Sequence, residues 1–244
     1  MFSSFYNNFL YHPLYNGLVY LIGVVPYHDV GIAVVVLTLV VKFILFPLSK
    51  KSVVTQIKMK QLDPELKALQ AKYKDNRQEL SQQLLTFYKK NQLNPFSGLF
   101  LILLQLPIIF ALYKVFYSGD IHIINTTILY SFVGIPAAIN TIFLGIFDLA
   151  IKHSLFLSIF VGITQFIQAQ LVVPPHDKTK PIDPKDMGQN LARSMNTQMK
   201  YVLPVFVAFI SYSLASLVSV YWITSNIFAI GQELYFRKTI KKKS

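Results

Sequence analysis

Apolar side chains fall in runs of about 20 residues, separated by polar stretches. The first uninterrupted run is Val30 to Leu48, VGIAVVVLTLVVKFILFPL. A helix rises 1.5 Å per residue, so ~20 such residues cross ~30 Å of hydrocarbon. Further runs cover residues 96–117 and 154–173. The stretch 200–236 is too long for one helix, and Ser211, Ser213, Ser216 and Ser219 mark a break in it. It divides into runs at 201–217 and 218–236, joined by a very short turn. The pattern therefore predicts an all-α membrane protein with five transmembrane helices. An earlier run, Phe9 to Pro26, is broken by His12, Pro13, Asn16 and Gly17. Residues 1–29 hold no Lys or Arg, so they lack the basic start of a secretory signal. They read as an amphipathic helix lying in the outer interface, with Tyr6, Tyr11, Tyr15 and Tyr20 at headgroup level. Asp29 precedes the first span.

Between the first two spans the period changes. Over residues 49–94, Val53, Ile57, Leu62, Leu66, Leu69 and Tyr73 recur at helical spacing, and Leu80, Leu84, Leu85, Phe87 and Tyr88 follow. Asp63-Pro64-Glu65 opens a helix, Asp75-Asn76 marks a turn, and Asn94-Pro95 ends the segment. This predicts a basic hairpin of two helices outside the membrane. Residues 118–153 are punctuated by Gly134, Pro136 and Asn140 and are expected to form an outer loop with short interfacial helices. Residues 174–199 form a Pro-rich polar loop.

Charge then orients the chain. Only 14% of residues are charged, against roughly 25% in soluble domains. The net charge of +12 suggests nucleic acid until the cations are placed. Lys50, Lys51, Lys58, Lys60, Lys67, Lys72, Lys74, Arg77, Lys89 and Lys90 lie in the hairpin. Five more lie in 174–200, and Arg237, Lys238, Lys241, Lys242 and Lys243 form the basic tail 237–244. With five spans, these segments share one side. The positive-inside rule makes that side cytoplasmic, with the N-terminus outside and the C-terminus inside. The cations then face anionic lipid or a ribosome, and no DNA partner is expected.

No catalytic set emerges. The five His residues show no metal-ligand spacing, and there is no Cys, no Gly-rich phosphate loop and no nucleophile elbow. The unusual group is Lys42, a cation inside the first span. It lies ~9 Å from the cytoplasmic end, close enough for its stem to snorkel to water. The alternative is function, since intramembrane charges are costly. Thr38, one turn away, gives it a polar face, and Pro47 should kink or end the helix nearby. Gln105, Thr164, Gln165, Gln168, Thr224, Ser225 and Asn226 bring polar groups from other spans. Singly these often just bond between helices; jointly they could line a wet cavity open to the cytoplasm. A small transporter or channel and a ribosome or lipid tether are the rival readings, although no repeat relates the two halves, as many transporters would show.

Asn94 to Tyr113, NPFSGLFLILLQLPIIFALY, resembles the signature of YidC-type membrane protein insertases of the Oxa/Alb superfamily. A span ending VVKFILFPLSKKS, a basic hairpin ending FYKKN and a last span with VYWITSN keep the family's order over residues 25–240. The resemblance implies an insertase core over residues 30–240. Five helices would surround a hydrophilic groove open to cytoplasm and lipid and closed outside. It implies a minimal member without the large outer domain of some relatives, in a bacterial inner membrane, using no nucleotide or cofactor. Nascent membrane proteins would be the substrates, with the ribosome and the Sec translocon as candidate partners. The family's groove cation is usually Arg; its match is Lys42, which keeps the charge and loses the bidentate fork. Thr38 matches a substrate-facing position. Tyr221-Trp222 matches a pair of Tyr, with Trp in place of the second. Gln105, Gln165 and Asn226 complete the expected groove.

Overall fold

The computed structural model describes residues 2–73, 76–94, 105, 107–111, 113–114, 124–172, 194 and 197–241. Most of the second expected span and the Pro-rich loop lie outside these residues. Helix α1 (Phe2–Tyr6) passes through a π turn (Asn7–Tyr11) into α2 (His12–Val24). A second π turn (Gln198–Val202) leads into α8 (Leu203–Ser213) in the same way. Each π turn ends two residues before a proline, Pro13 or Pro204. Proline cannot donate to the carbonyl four residues back and crowds it, and the wider turn relieves that conflict.

Helix α3 (Val30–Ile44) carries most of the first apolar run. It stops at Leu45, two residues before Pro47, and α4 (Phe46–Gln61) leaves it at 70°. The break expected from Pro47 is thus present, and it shortens the straight part of the run. Helix α7 (Leu155–Val172) is, among the described residues, the one unbent helix long and apolar enough to cross a membrane. After α8 the chain breaks at Leu214 and Ala215, where expected, and α9 (Ser216–Lys241) follows. Ser211 and Ser219 hydroxyls bond to each other across the break at 2.8 Å, and Ser216 donates to the Ile151 carbonyl at 2.5 Å.

The main core gathers Leu18 and Ile22 of α2, Val30 and Val34 of α3, Ile108 and Ala111, Leu149, and Leu217 and Tyr221 of α9. Helix α7 packs on α8 and α9, and α9 packs on α3. Gly162 permits the close approach of α7 to α8: a Cβ there would lie 3.1 Å from Ala208. The opposite faces of α7 and α8 expose Ile163, Phe166, Val205 and Phe209, as lipid-facing helices do.

The segment before α7 corrects one expectation. In place of short interfacial helices it forms a 3-10 turn (Thr126–Ile128) and a small antiparallel pair, β1 (Ile142–Phe143) and β2 (Phe147–Asp148). Leu144 and Gly145 turn the pair with φ of 53° and 74°, and helical geometry cannot include such a turn. The segment is tied to the start of α3. Asn140 exchanges backbone hydrogen bonds with His28 and Val30, and Asp29 accepts from Ile32 N–H at 3.1 Å and Leu144 N–H at 2.9 Å. Asn16 joins it to α2 by accepting from Tyr130 N–H and donating to the Ile128 carbonyl.

The hairpin has three helices rather than two. Helix α4 is followed at Leu62 by α5 (Asp63–Lys72), and α6 (Arg77–Lys90) returns. Pro64 lies in the first turn of α5, where its missing N–H costs nothing, so the first arm breaks there. Asn76 caps α6 by accepting from Glu79 N–H and donating to the Glu79 carboxylate. Helix α4 is docked through Val53 and Ile57 against Phe236 of α9. The described residues of α5 and α6 include no buried side chain.

Candidate functional site

Lys42 sits in the last turn of α3, just before the bend. Its Nζ donates to Gln105 Oε1 at 3.1 Å, and Gln105 Nε2 donates to the Tyr221 hydroxyl. A polar chain therefore links α3, the segment around Gln105 and α9. Tyr221 is 2% exposed, so the far end of the chain is anchored in the core. Lys42 itself is half-buried. Among the described residues no carboxylate pairs with it. Its stabilisation comes from a neutral amide, which orients the ammonium without cancelling its charge.

Other expected groove residues make separate contacts. Thr38 shares the α3 face, but its hydroxyl donates to the Val34 carbonyl at 2.6 Å, and the residue is 2% exposed. Asn226 donates to Thr164 at 3.1 Å, joining α9 to α7. Gln165 donates to Gln168 along α7 at 3.0 Å. Trp222 is half-buried against the main core. The set expected as one site is thus one linked chain, Lys42–Gln105–Tyr221, with polar pairs elsewhere.

The hairpin cations differ among themselves. Lys58 is exposed. Lys67 pairs with Asp63 at 2.5 Å, and Lys72 lies over the Tyr73 ring. Lys74 is outside the described residues, and Arg77 opens α6. Lys60 turns inward and donates to the Leu171 carbonyl at the end of α7, 3.1 Å away. Burial lowers its pKa first, then the nearby Arg237 and Lys200, while Glu233 opposes them.

The basic tail begins as helix. Helix α9 continues through Arg237 and Lys238 to Lys241; Lys242 and Lys243 are outside the described residues. Arg237 does not project freely. Its Nε donates to Glu233 Oε1 at 2.8 Å, and its Nη2 donates to the Leu171 carbonyl. Glu233, 3% exposed, was not singled out by its sequence, although it is the one acid in residues 201–244 and has Arg four residues later. Gln232 beside it donates to Ser49 of α4 at 2.8 Å.

The site is thus a polar chain ending in a cation, set among apolar helices. The model of the family described as "60Kd inner membrane protein" matches residues 22–243, and the chain belongs to that family. It is 31% identical to a membrane protein insertase YidC of Clostridium tetani over 219 residues, covering 90% of this chain and 86% of that one. It is 35% identical to the Wolinella succinogenes protein of the same name over 87% of this chain, and 32% identical to that of a Jannaschia species over 92%. The chain spans 34% and 35% of those two longer relatives.

Proposed function

We propose that the chain is a membrane protein insertase of the inner membrane of a bacterium, in which Lys42 receives the polar tail of a substrate. Five spans surround a groove that contains Lys42, Gln105 and Tyr221, flanked by Thr38, Gln165, Trp222 and Asn226. The Asp29 end of α3 faces outside; the hairpin and the C-terminus face the cytoplasm. The observation that carries this reading is the ammonium of Lys42, held by a neutral amide with no carboxylate partner among the described residues. The relatives' shared name supports the activity.

A short acidic tail entering from the cytoplasm meets a positive charge where the local dielectric is below that of water, so the attraction exceeds its bulk value. The wet groove shortens the hydrocarbon path the tail must cross. The apolar helix of the substrate slides past α3 and α9 into lipid, and its burial drives the step. The membrane potential adds ~2.3 kcal/mol per 100 mV for each negative charge moved outward. No bond is made or broken, so no residue acts as an acid, base or nucleophile. The tip of the hairpin, α5 and α6 with Lys67 and Lys72, meets nascent chains or the ribosome, and Lys74 and Arg77 are assigned the same role. Sec would act as a partner for larger substrates.

Reconstitution of the purified chain into liposomes with a single-span, Sec-independent substrate tests the activity. Protease protection of the substrate tail should depend on the protein; protection equal to that of empty liposomes refutes an insertase. Removing α5 and α6 while keeping Lys42 separates the tether reading. An insertase then loses rate or substrate range, whereas a tether loses everything.

A further inference from the structure

The turn between β1 and β2 sets apolar side chains outward on a fixed backbone. Thr141 to Phe147, TIFLGIF, holds no charge. Phe143 and Phe147 pack on the main core, whereas Ile142, Leu144 and Ile146 are 47%, 61% and 72% exposed. Leu144 and Gly145 both lie in the left-handed region, with φ of 53° and 74°. Hairpin turns that need such angles usually take Asn, Asp or Gly there. A leucine bears backbone strain in that position and, facing water, leaves its side chain unburied. The N–H groups of the turn are nonetheless all bonded within the protein. Leu144 donates to Asp29 at 2.9 Å, Gly145 to the Ile142 carbonyl at 3.4 Å and Ile146 to the Phe143 carbonyl at 3.0 Å. A backbone whose donors need no water is fit to enter an apolar medium. The neighbouring rings identify that medium. Phe147 stacks on Phe156 at the start of α7, with centroids 5.2 Å apart, and Phe156 packs on Phe160 at 4.7 Å. Phe156, Phe160 and Ile163 lie at helical spacing on the exposed apolar face of α7. The turn therefore continues the face read as lipid-facing.

We propose that Ile142, Leu144 and Ile146 insert into the membrane leaflet at the Asp29 end of α3. The partner is the lipid surface, held by apolar burial and not by headgroup charge. The β1–β2 pair thereby sets the depth of α3. It is joined to that helix by Asp29 and by Gly31, where the Phe143 ring leaves no room for a Cβ. Lys42 lies about 18 Å along α3 from Val30, so the same anchor fixes how deep its charge sits. The anchor rests on the reading of α7 as a membrane span and of the Asp29 end as the outer one.

The chain contains no Cys, so single cysteines can be introduced and spin-labelled in the full chain in phosphatidylcholine liposomes. Leu144→Cys and Ile146→Cys are compared with Ile163→Cys on α7 and with Thr126→Cys in the exposed 3-10 turn. Collisions with oxygen relative to a water-soluble nickel complex should be several-fold more frequent at both turn positions than at Thr126, and should approach those at Ile163. Where Leu144→Cys disturbs the turn, Ile146→Cys decides alone. Turn positions as open to nickel as Thr126, with Ile163 still shielded, would overturn the anchor and leave the span standing. Nickel access at Ile163 as well would overturn the span and the anchor together. Shielding that appears only when phosphatidylglycerol is added would also overturn an apolar anchor. In intact cells a membrane-impermeant maleimide should label Thr126→Cys; labelling in inverted vesicles alone would overturn the assignment to the outer leaflet.

Discussion

At its Asp29 end α3 is locked to its surroundings, whereas at its Leu45 end it breaks, bends and carries a charge. The Asp29 carboxylate caps α3 and also takes the Leu144 N–H, and Asn140 pairs with the backbone on both sides of it. Around these bonds Val30 and Leu149 are fully buried. Among the described residues the other end has one neutral partner for Lys42, a 70° bend, and a hairpin whose outer helices include no buried side chain. Polar groups at the first end are matched to one another, which gives stability. Those at the second end leave the Lys42 charge without a carboxylate partner among the described residues, which the proposed role as a site for incoming chains requires.

The contrast can be broken from either side. The largest loss of stability is expected from Asp29→Ala, which removes a helix cap and a charge-assisted hydrogen bond, together about 2–4 kcal/mol. The melting temperature of the purified protein in detergent should fall by about 2–4 °C per kcal/mol; an unchanged value would show that this end is not an anchor. Gly31→Ala should follow at about 1–3 kcal/mol, because the new Cβ would lie 2.2 Å from the Phe143 ring and 2.9 Å from Leu149. A melting temperature equal to wild type would mean that the β1–β2 pair yields easily.

At the Leu45 end the expected effects on stability are smaller. Burial holds the pKa of Lys60 below that of an ordinary lysine. The unfolded chain therefore binds more protons between the lowered and the ordinary value, and stability should rise with pH across that window. Melting temperatures of wild type and Lys60→Gln should diverge on the alkaline side in that direction; parallel curves would contradict it. Lys67→Ala, which breaks an exposed i,i+4 pair on α5, should change stability by about 0.5 kcal/mol or less, and a larger drop would mean that α5 is packed more firmly than its exposure indicates.

The sequence made the apolar helices legible because their runs are long and their breakers, Pro47 and the serines near 211–219, act locally. It showed Lys42 because a charge in an apolar run stands out against its neighbours. It did not show the β1–β2 pair, since Ile142 to Phe147 is apolar with no strand alternation and the turn depends on Asp29 from more than a hundred residues earlier. Nor did it separate Thr38 from the polar chain: face-sharing is read from spacing, whereas the Val34 carbonyl wins the hydroxyl through backbone proximity. Glu233, and the inward contacts of Arg237, were hidden because a helix end reads like a solvated tail until Lys60 and Leu171 arrive from other helices.

The central claim is that the charge of Lys42, rather than its shape, receives the substrate. Liposomes containing wild type, Lys42→Arg or Lys42→Ala should be compared with single-span substrates that differ only in acidic or neutral tails. Retained insertion by Lys42→Arg is predicted, with a loss in Lys42→Ala that is greatest for the acidic tail. Normal insertion of every substrate by Lys42→Ala, in protein that melts as wild type does, would contradict the account.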